Sequence, residues 1–355
     1  ECLLLLTIFC ASQQKLSISY LGSGDAISEA NFREKISNQN SKKLNAFINF
    51  MKSPIDIIIL WVDLNNPDWK KKYQKYVSKK IDKERYYNNN ELELCLYTIN
   101  KYMNWVRNIF IITECQLPKY TSKYKNIKTI NSSILLKNVA NIPSFNSNVI
   151  ESNFHKIPGL SEIFLFGCDD FFVGKKIEKS EWFDFESGLP STNLREIIPP
   201  KIIKTYWYYL YNANLLSKIN CVNSDNKFLV PSHQFGLLTK KSCQKGWELN
   251  RNELLKMGEC RTRSPQNIQI TSHLFFQLIG FYSGFIHVNI ERGVEFSKEH
   301  PFGYLTYDGH IKKEEYAHFL NNIKENTPKF YCLNHLTERC SKNEFTDFKK
   351  HMMNK

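Results

Sequence analysis

The sequence predicts an α/β fold, a Rossmann-like and mostly parallel sheet flanked by helices, with a more helical C-terminal portion. Three observations carry this expectation. Ile55-Asp-Ile-Ile-Ile-Leu-Trp-Val62 is a nearly continuous apolar run of the kind buried on both faces of a parallel sheet. Leu92, Cys95, Leu96, Ile99, Tyr102 and Met103 then recur at offsets of three and four, tracing one face of a helix. Asn108-Ile-Phe-Ile-Ile-Thr113 follows as a second apolar run, so the order is strand, helix, strand, a unit whose two strands lie parallel.

The remaining elements follow in order. Residues 1–53 read as a signal-like and stem region: an apolar run to Ser12, then a polar stretch rich in Ser, Asn and Lys. The run to Ser12 is too short to span a bilayer, which takes about 20 residues. It leaves two compartments open, the cytoplasmic face of a bacterial membrane and a secretory lumen. The first strand stops at the turn-rich Asp63-Leu-Asn-Asn-Pro-Asp68, and Asn88-Asn-Asn90 offers an N-cap to the helix after it. Ile127 to Ile130 reads as a third strand, and Ser144-Phe-Asn-Ser147 caps a helix running towards His155. Ile163 to Phe166 is a further strand, ending in Gly167-Cys-Asp-Asp-Phe-Phe172. Beyond about residue 185 the pattern is less regular, with helices over Trp207–Leu216 and Ser272–Leu278. No internal repeat is visible. The organised domain is taken as residues 54–340 and the C-terminal tail as 341–355.

Composition narrows the function classes. With 355 residues and 14% aromatic side chains the chain can bury a core without a disulfide scaffold. Its ten cysteines form no C-x-x-C pair and read as reduced and buried. A net charge of +13 suits a phosphorylated substrate or peripheral contact with an anionic membrane. No zinc-finger spacing, arginine-rich helix or RNA-binding signature accompanies it, so nucleic acid is excluded as the partner.

Carboxylates mark the candidate chemistry. Asp63 and the Asp169-Asp170 pair each lie just past a strand end, where ligands of open parallel sheets bind. Adjacent hard oxygens suit Mg²⁺ or Mn²⁺ bridging to substrate phosphates, although each Asp can equally cap a turn. Glu151 and His155 are four apart on the Ser144 helix and share a face with Asn148; the pair can set a general base or be a surface contact. Arg261 and Arg263 offer planar forks that match phosphate oxygens.

Taken as an ordered array, these residues resemble the Stealth family of capsular polysaccharide phosphotransferases. That family includes the catalytic part of the N-acetylglucosamine-1-phosphotransferase of the lysosomal mannose-phosphate pathway. The array runs through Ile55–Asp63 with Pro67-Asp-Trp69, then Arg85, Asn89, Glu91, Leu92, Ile99, Trp105–Thr113 and Gln116-Leu-Pro118. It continues with Pro143-Ser-Phe-Asn-Ser147, Ile150-Glu151, His155–Leu160, Asp169-Asp-Phe-Phe172, His233-Gln234, Arg261–Ile268 and Pro328–Asn334. Tyr87, Asn88, Glu93, Tyr97, Asn148, Cys168 and His335 depart from the family pattern.

The resemblance implies a transferase that moves hexose-1-phosphate, an N-acetylhexosamine-1-phosphate by preference, from a UDP-sugar to a glycan hydroxyl. It forms a phosphodiester and releases UMP, with Mg²⁺ or Mn²⁺ as cofactor. The implied partners are the UDP-sugar donor and a glycan or growing polysaccharide acceptor. The implied catalytic set is His233 as base, Arg263, Asp63 and Asp170, with Asp169 and Asp170 towards metal. Arg85, Asn89, Glu91, Asn146, Glu151, Arg261 and Asn334 are implied in substrate binding, Asn146 and Glu151 holding the donor sugar or ordering the metal shell. A metal-dependent glycosyltransferase releasing UDP and a non-catalytic binding relative are the alternatives.

Overall fold

The computed structural model describes residues 26–81, 86, 88–198, 205–221, 227–263, 270–292, 304–307, 313–333 and 342–354. The signal-like residues 1–12, and with them Arg85 and Asn334, lie outside the described residues. The chain divides into two compact units, Glu1–Ala46 and Phe47–Lys355. The described part of the first is helical and belongs to a helix over Ala26–Lys52.

The larger unit is built on strands. Among the described residues these are β1 (Ile55–Leu60), β2 (Ile109–Ile112), β3 (Ile127–Ile130), β4 (Ile163–Cys168), β5 (Phe171–Val173) and β6 (Phe183–Asp184). They continue with β7 (Leu189–Glu196), β8 (Leu229–Pro231), β9 (Gly236–Thr239), β10 (His287–Arg292), β11 (Tyr304–Tyr307) and β12 (Phe330–Leu333). The central sheet has the order β3-β2-β1-β4-β9, with the first four parallel and β9 antiparallel on β4. The mostly parallel α/β expectation is therefore met. Successive strands step outward from β1 to β3, and the chain then returns to place β4 on the other side of β1. That reversal opens a crevice beyond the carboxyl ends of β1 and β4, where ligands of such sheets bind.

Burial explains the sheet. Ile57, Ile58 and Ile59 are fully buried; Ile57 and Ile59 join one apolar cluster and Ile58 the other, as the two-residue period of a strand requires. The helix Glu91–Tyr102 covers the first face with Leu92, Leu94, Cys95, Leu96 and Ile99. The helix Ser272–Tyr282 covers the second with Leu274, Phe275, Phe276, Leu278 and Ile279. The start of the first helix differs from expectation. Asn90 has a left-handed φ of 63° and makes no side-chain cap. Asn88 Oδ1 instead accepts from Asn90 N at 2.8 Å, and the Glu91 carboxylate accepts from Asn89 N at 2.6 Å.

At the amino edge of the sheet, Asp56 is fully buried yet fully satisfied. Its carboxylate accepts from Arg107 Nε at 2.9 Å and Nη2 at 2.5 Å, from Asn108 N and Nδ2 at 3.1 Å each, and from Ser161 N at 2.7 Å. Ser161 Oγ in turn accepts from Asp56 N at 3.0 Å. One side chain thus ties the start of β1 to the loops that lead into β2 and β4.

Beyond residue 185 the chain is more helical, as expected, and it also contributes strands to two further sheets, β10-β7-β6 with β8 on β7, and β11-β12-β5. β7 reads Leu-Pro-Ser-Thr-Asn-Leu-Arg-Glu, with too few apolar residues to announce a strand. The segment read as a C-terminal tail is a helix, Lys342–Asn354, with Phe345, Phe348 and Met352 buried. It docks on the helix Glu91–Tyr102, where Tyr97 Oη donates to Met353 O at 2.6 Å and Lys349 meets Glu93 at 2.7 Å. All seven cysteines among the described residues are free thiols.

Gly167, one residue before the end of β4, lies against the ring of Phe235, and a Cβ there would collide with that ring. Phe235 is itself buried and cannot swing into solvent. Gly167→Ala is expected to cost about 1–3 kcal/mol by overpacking. A lower denaturant midpoint at unchanged slope checks it.

Candidate active site

The carboxyl edge of the central sheet gathers the charged side chains. β1 and β4 are in register from Ile55–Ile163 to Leu60–Cys168, so Asp63 and Asp169 leave neighbouring strands at one edge. β9 enters the sheet opposite Phe166, which brings His233-Gln234 to the same edge. The His233 and Phe171 rings lie 6.5 Å apart, centroid to centroid, directly after Asp170.

Asp169, Asp170 and Glu91 form an acidic group. Asp169 and Asp170 keep partial contact with solvent but are sunk among protein atoms, while Glu91 is buried. Desolvation pushes the Asp169 carboxyl well up, and the neighbouring charges of Asp170 and Glu91 push the same way. Burial raises Asp170 to about 6, against opposition from backbone hydrogen bonding and the Cys332 thiol. Burial likewise raises Glu91 to about 7, opposed by bonds from its own and the Asn89 backbone and raised further by Asp170. Asn89 thereby serves as a partner of Glu91. Asp170 Oδ1 is buried with no hydrogen-bond partner among the described residues. Leu333 N donates to Asp170 O at 3.2 Å, so β12 fixes the backbone of the pair.

The second sheet face supplies the opposite charge. The helix expected to run from Ser144 towards His155 is only Ser147–Glu151, followed by a tight turn over Phe154–Lys156. Glu151 and His155 therefore do not pair. His155 lies beside Trp247, and burial with the charges of Lys156 and Lys240 lowers it to about 4. The partner of Glu151 is His273, at 2.9 Å from Nδ1. Desolvation would raise Glu151, but His273 and then Arg263 outweigh it and hold the carboxyl below its ordinary value. Arg263 Nη2 donates to Ser147 Oγ. Burial, and then the charges of Asp170, Asp169 and Glu151, push up the Cys168 thiol at the end of β4 while Arg263 opposes them, so all four lie within electrostatic reach of that residue.

The other expected residues sit around this centre. Asp63 Oδ1 accepts from Asn65 N at 2.8 Å, so it shapes its own turn at the edge. Asn146 is fully buried, and its Nδ2 donates to Cys260 O at 3.3 Å, tying the start of the Ser147 helix to the Arg261 segment. Arg261 stands apart from the acidic group: Nη1 donates to Pro143 O at 2.7 Å and the guanidinium stacks over Tyr76 at 4.9 Å. His273 and Cys332 are the residues the sequence did not reveal. His273 lies inside a helix whose apolar run was legible, but nothing local ties it to Glu151, 122 positions earlier.

A divalent cation fits the acidic group. It is the counter-charge that desolvated, mutually repelling carboxylates lack, and Asp170 Oδ1 is an acceptor without a donor. No group of three or more His, Cys, Asp or Glu among the described residues is arranged as a complete metal cluster. Two protein carboxylates suit a cation completed by water and substrate phosphates.

Comparison with known proteins adds to this geometry. Residues 85–190 match the profile of Stealth protein CR2, conserved region 2. The capsular polysaccharide phosphotransferase cps1A of Actinobacillus pleuropneumoniae is 27% identical over 317 residues, covering 83% of this chain and 84% of that protein. The capsular polysaccharide phosphotransferase fcs1 of Haemophilus influenzae is 35% identical over 175 residues, covering 46% of this chain and 47% of that one. Among solved structures, mouse xyloside xylosyltransferase 1 matches at a TM-score of 0.39 and 12% identity, covering 79% of this chain and 98% of that one.

Proposed function

We propose that this chain, a transferase related to the Stealth phosphotransferases through its conserved region 2, moves a hexose-1-phosphate from a UDP-sugar to a glycan hydroxyl. UMP is the leaving group and a phosphodiester the product. The observation that carries this reading is the meeting of Asp169, Asp170, Glu151 and Arg263 around the end of β4, at the crevice where the strand order reverses. Phosphoryl transfer asks little covalent chemistry of a protein. It asks for charge neutralisation and in-line placement, and acidic and guanidinium groups facing one cleft supply both.

The roles follow from position. Asp169 and Asp170 would hold Mg²⁺ or Mn²⁺, with Glu91 behind them; such a cation, when bound, neutralises charge on the donor diphosphate. Arg263 faces the transferred phosphoryl group, and Glu151 steadies it. His233 takes the proton of the attacking hydroxyl as the new P–O bond forms and the bond to the UMP oxygen breaks. Asn146 holds the Arg261 and Ser147 segments together beneath the donor sugar, while Asp63 lines the same edge. Arg85 and Asn334, outside the described residues, are taken as further donor-binding candidates.

The nucleotide product tests the reading. Purified protein with UDP-N-acetylglucosamine, Mg²⁺ and an acceptor glycan is expected to release UMP; release of UDP alone identifies simple sugar transfer instead. His233→Ala is expected to slow UMP release by about 10²–10⁴-fold, the usual worth of a positioned base. A variant as fast as the parent removes His233 from the chemistry.

A further inference from the structure

His273 is a titratable side chain at this edge that the transfer as described leaves without a role. Its Nδ1 lies 2.9 Å from the Glu151 carboxylate, and its backbone N–H donates to the same oxygen at 3.3 Å. Glu151 is 4% exposed, whereas the His273 side chain is 21% exposed, so the pair runs from the interior towards solvent. The ring packs on Phe166, centroids 5.0 Å apart, two residues before Cys168. Among the described residues no group bonds Nε2, and the buried Nε of Arg263 has no acceptor. Glu151 therefore meets His273 directly and lies in the field of Arg263, and each of those side chains has a ring or guanidinium nitrogen left over.

An imidazole held by a carboxylate at one nitrogen and open on its far side is fixed in orientation and presents the other nitrogen. We propose that His273, oriented by Glu151, is a second anion contact of the site and binds diphosphate oxygens through Nε2 beside Arg263. The inference rests on the transfer reading for its setting, but the chemistry recognised, a diphosphate, can be tested without the sugar. Glu151 is then a positioning residue for both side chains.

The plain alternative is structural: Glu151 and His273 satisfy each other, and Glu151 caps the first turn of the helix Ser272–Tyr282. Two substitutions separate these. His273→Asn places an amide N–H near Nδ1, keeping the link to Glu151 while deleting Nε2. His273→Gln reaches outward, giving up the inner link but restoring a polar N–H near the outer position. Calorimetric titration with inorganic pyrophosphate reads binding, and thermal melting reads the fold. His273→Asn is expected to keep the parent melting temperature and bind pyrophosphate about tenfold more weakly, the loss of one charge-assisted hydrogen bond. His273→Gln is expected to bind better than His273→Asn despite a lower melting temperature. Parent-like pyrophosphate affinity in His273→Asn overturns the proposal, as does a parent protein that binds no pyrophosphate. A parent that binds pyrophosphate through His273 but releases no UMP sinks the transfer reading and leaves this contact standing.

Discussion

Asp170→Asn is expected to abolish UMP release, by about 10³-fold or more given the several kcal/mol that metal and electrostatic stabilisation supply. It is also expected to melt a few degrees above the parent. The two effects have one cause. Burial raises the Asp170 carboxyl to about 6 because its charged form is poorly accommodated without a cation. A carboxyl whose folded value exceeds its unfolded value of about 3.9 loses stability as pH climbs between the two. Each unit of that gap corresponds to about 1.4 kcal/mol, and the loss is complete above the folded value. The amide carries no charge to desolvate, so the advantage of Asp170→Asn opens from about pH 4 to 6 and then levels off. Thermal melts across that range check the sign. Mg²⁺ is expected to raise the parent melting temperature at pH 7.5 and to leave the variant unmoved. A variant that melts below the parent throughout, or responds equally to Mg²⁺, contradicts the assignment of Asp170 to a charge-frustrated cation site.

The sequence carried the sheet and the acidic edge because both are written locally. β1, β2 and β4 are short apolar runs, and Asp169-Asp170 directly follows one of them. What local pattern cannot encode is partnership across long separations. Glu151 finds His273, 122 positions away, and not His155, because the chain leaves the Ser147 helix before a second turn can bring His155 round. β7 pairs β10 in parallel across 96 positions, and its mixed polar sequence gives no periodic signal. The C-terminal helix shows Phe345, Phe348 and Met352 at offsets of three and four. That stripe becomes informative only once its target, the helix carrying Glu91, is known.

The same logic separates Asp56 from Asp170. Asp56 lies on β1 and Asp170 in the turn just past the neighbouring β4, at opposite edges of the sheet. Burial alone would raise Asp56; hydrogen bonds from Arg107, Ser161 and Asn108, with the Arg107 charge, overcome that and hold it below its ordinary value. Asp56→Ala therefore removes the acceptor from five donor contacts and leaves the part-buried N–H groups of Asn108 and the buried N–H of Ser161 without one. Breaking such a buried pair from one side costs about 3–5 kcal/mol, the largest stability loss expected from a polar substitution here. Arg107 is itself partly exposed and can turn to water, which places the loss towards the lower end. A lowered carboxyl stabilises fully above its unfolded value and ceases to do so as pH falls through its folded value. The gap in melting temperature between parent and Asp56→Ala is therefore widest at neutral pH and closes below about pH 4. UMP release per folded molecule should stay near the parent value, because the lesion lies across the sheet from the catalytic edge. Proportionate loss of rate and fold would instead mean that the two edges communicate through β1.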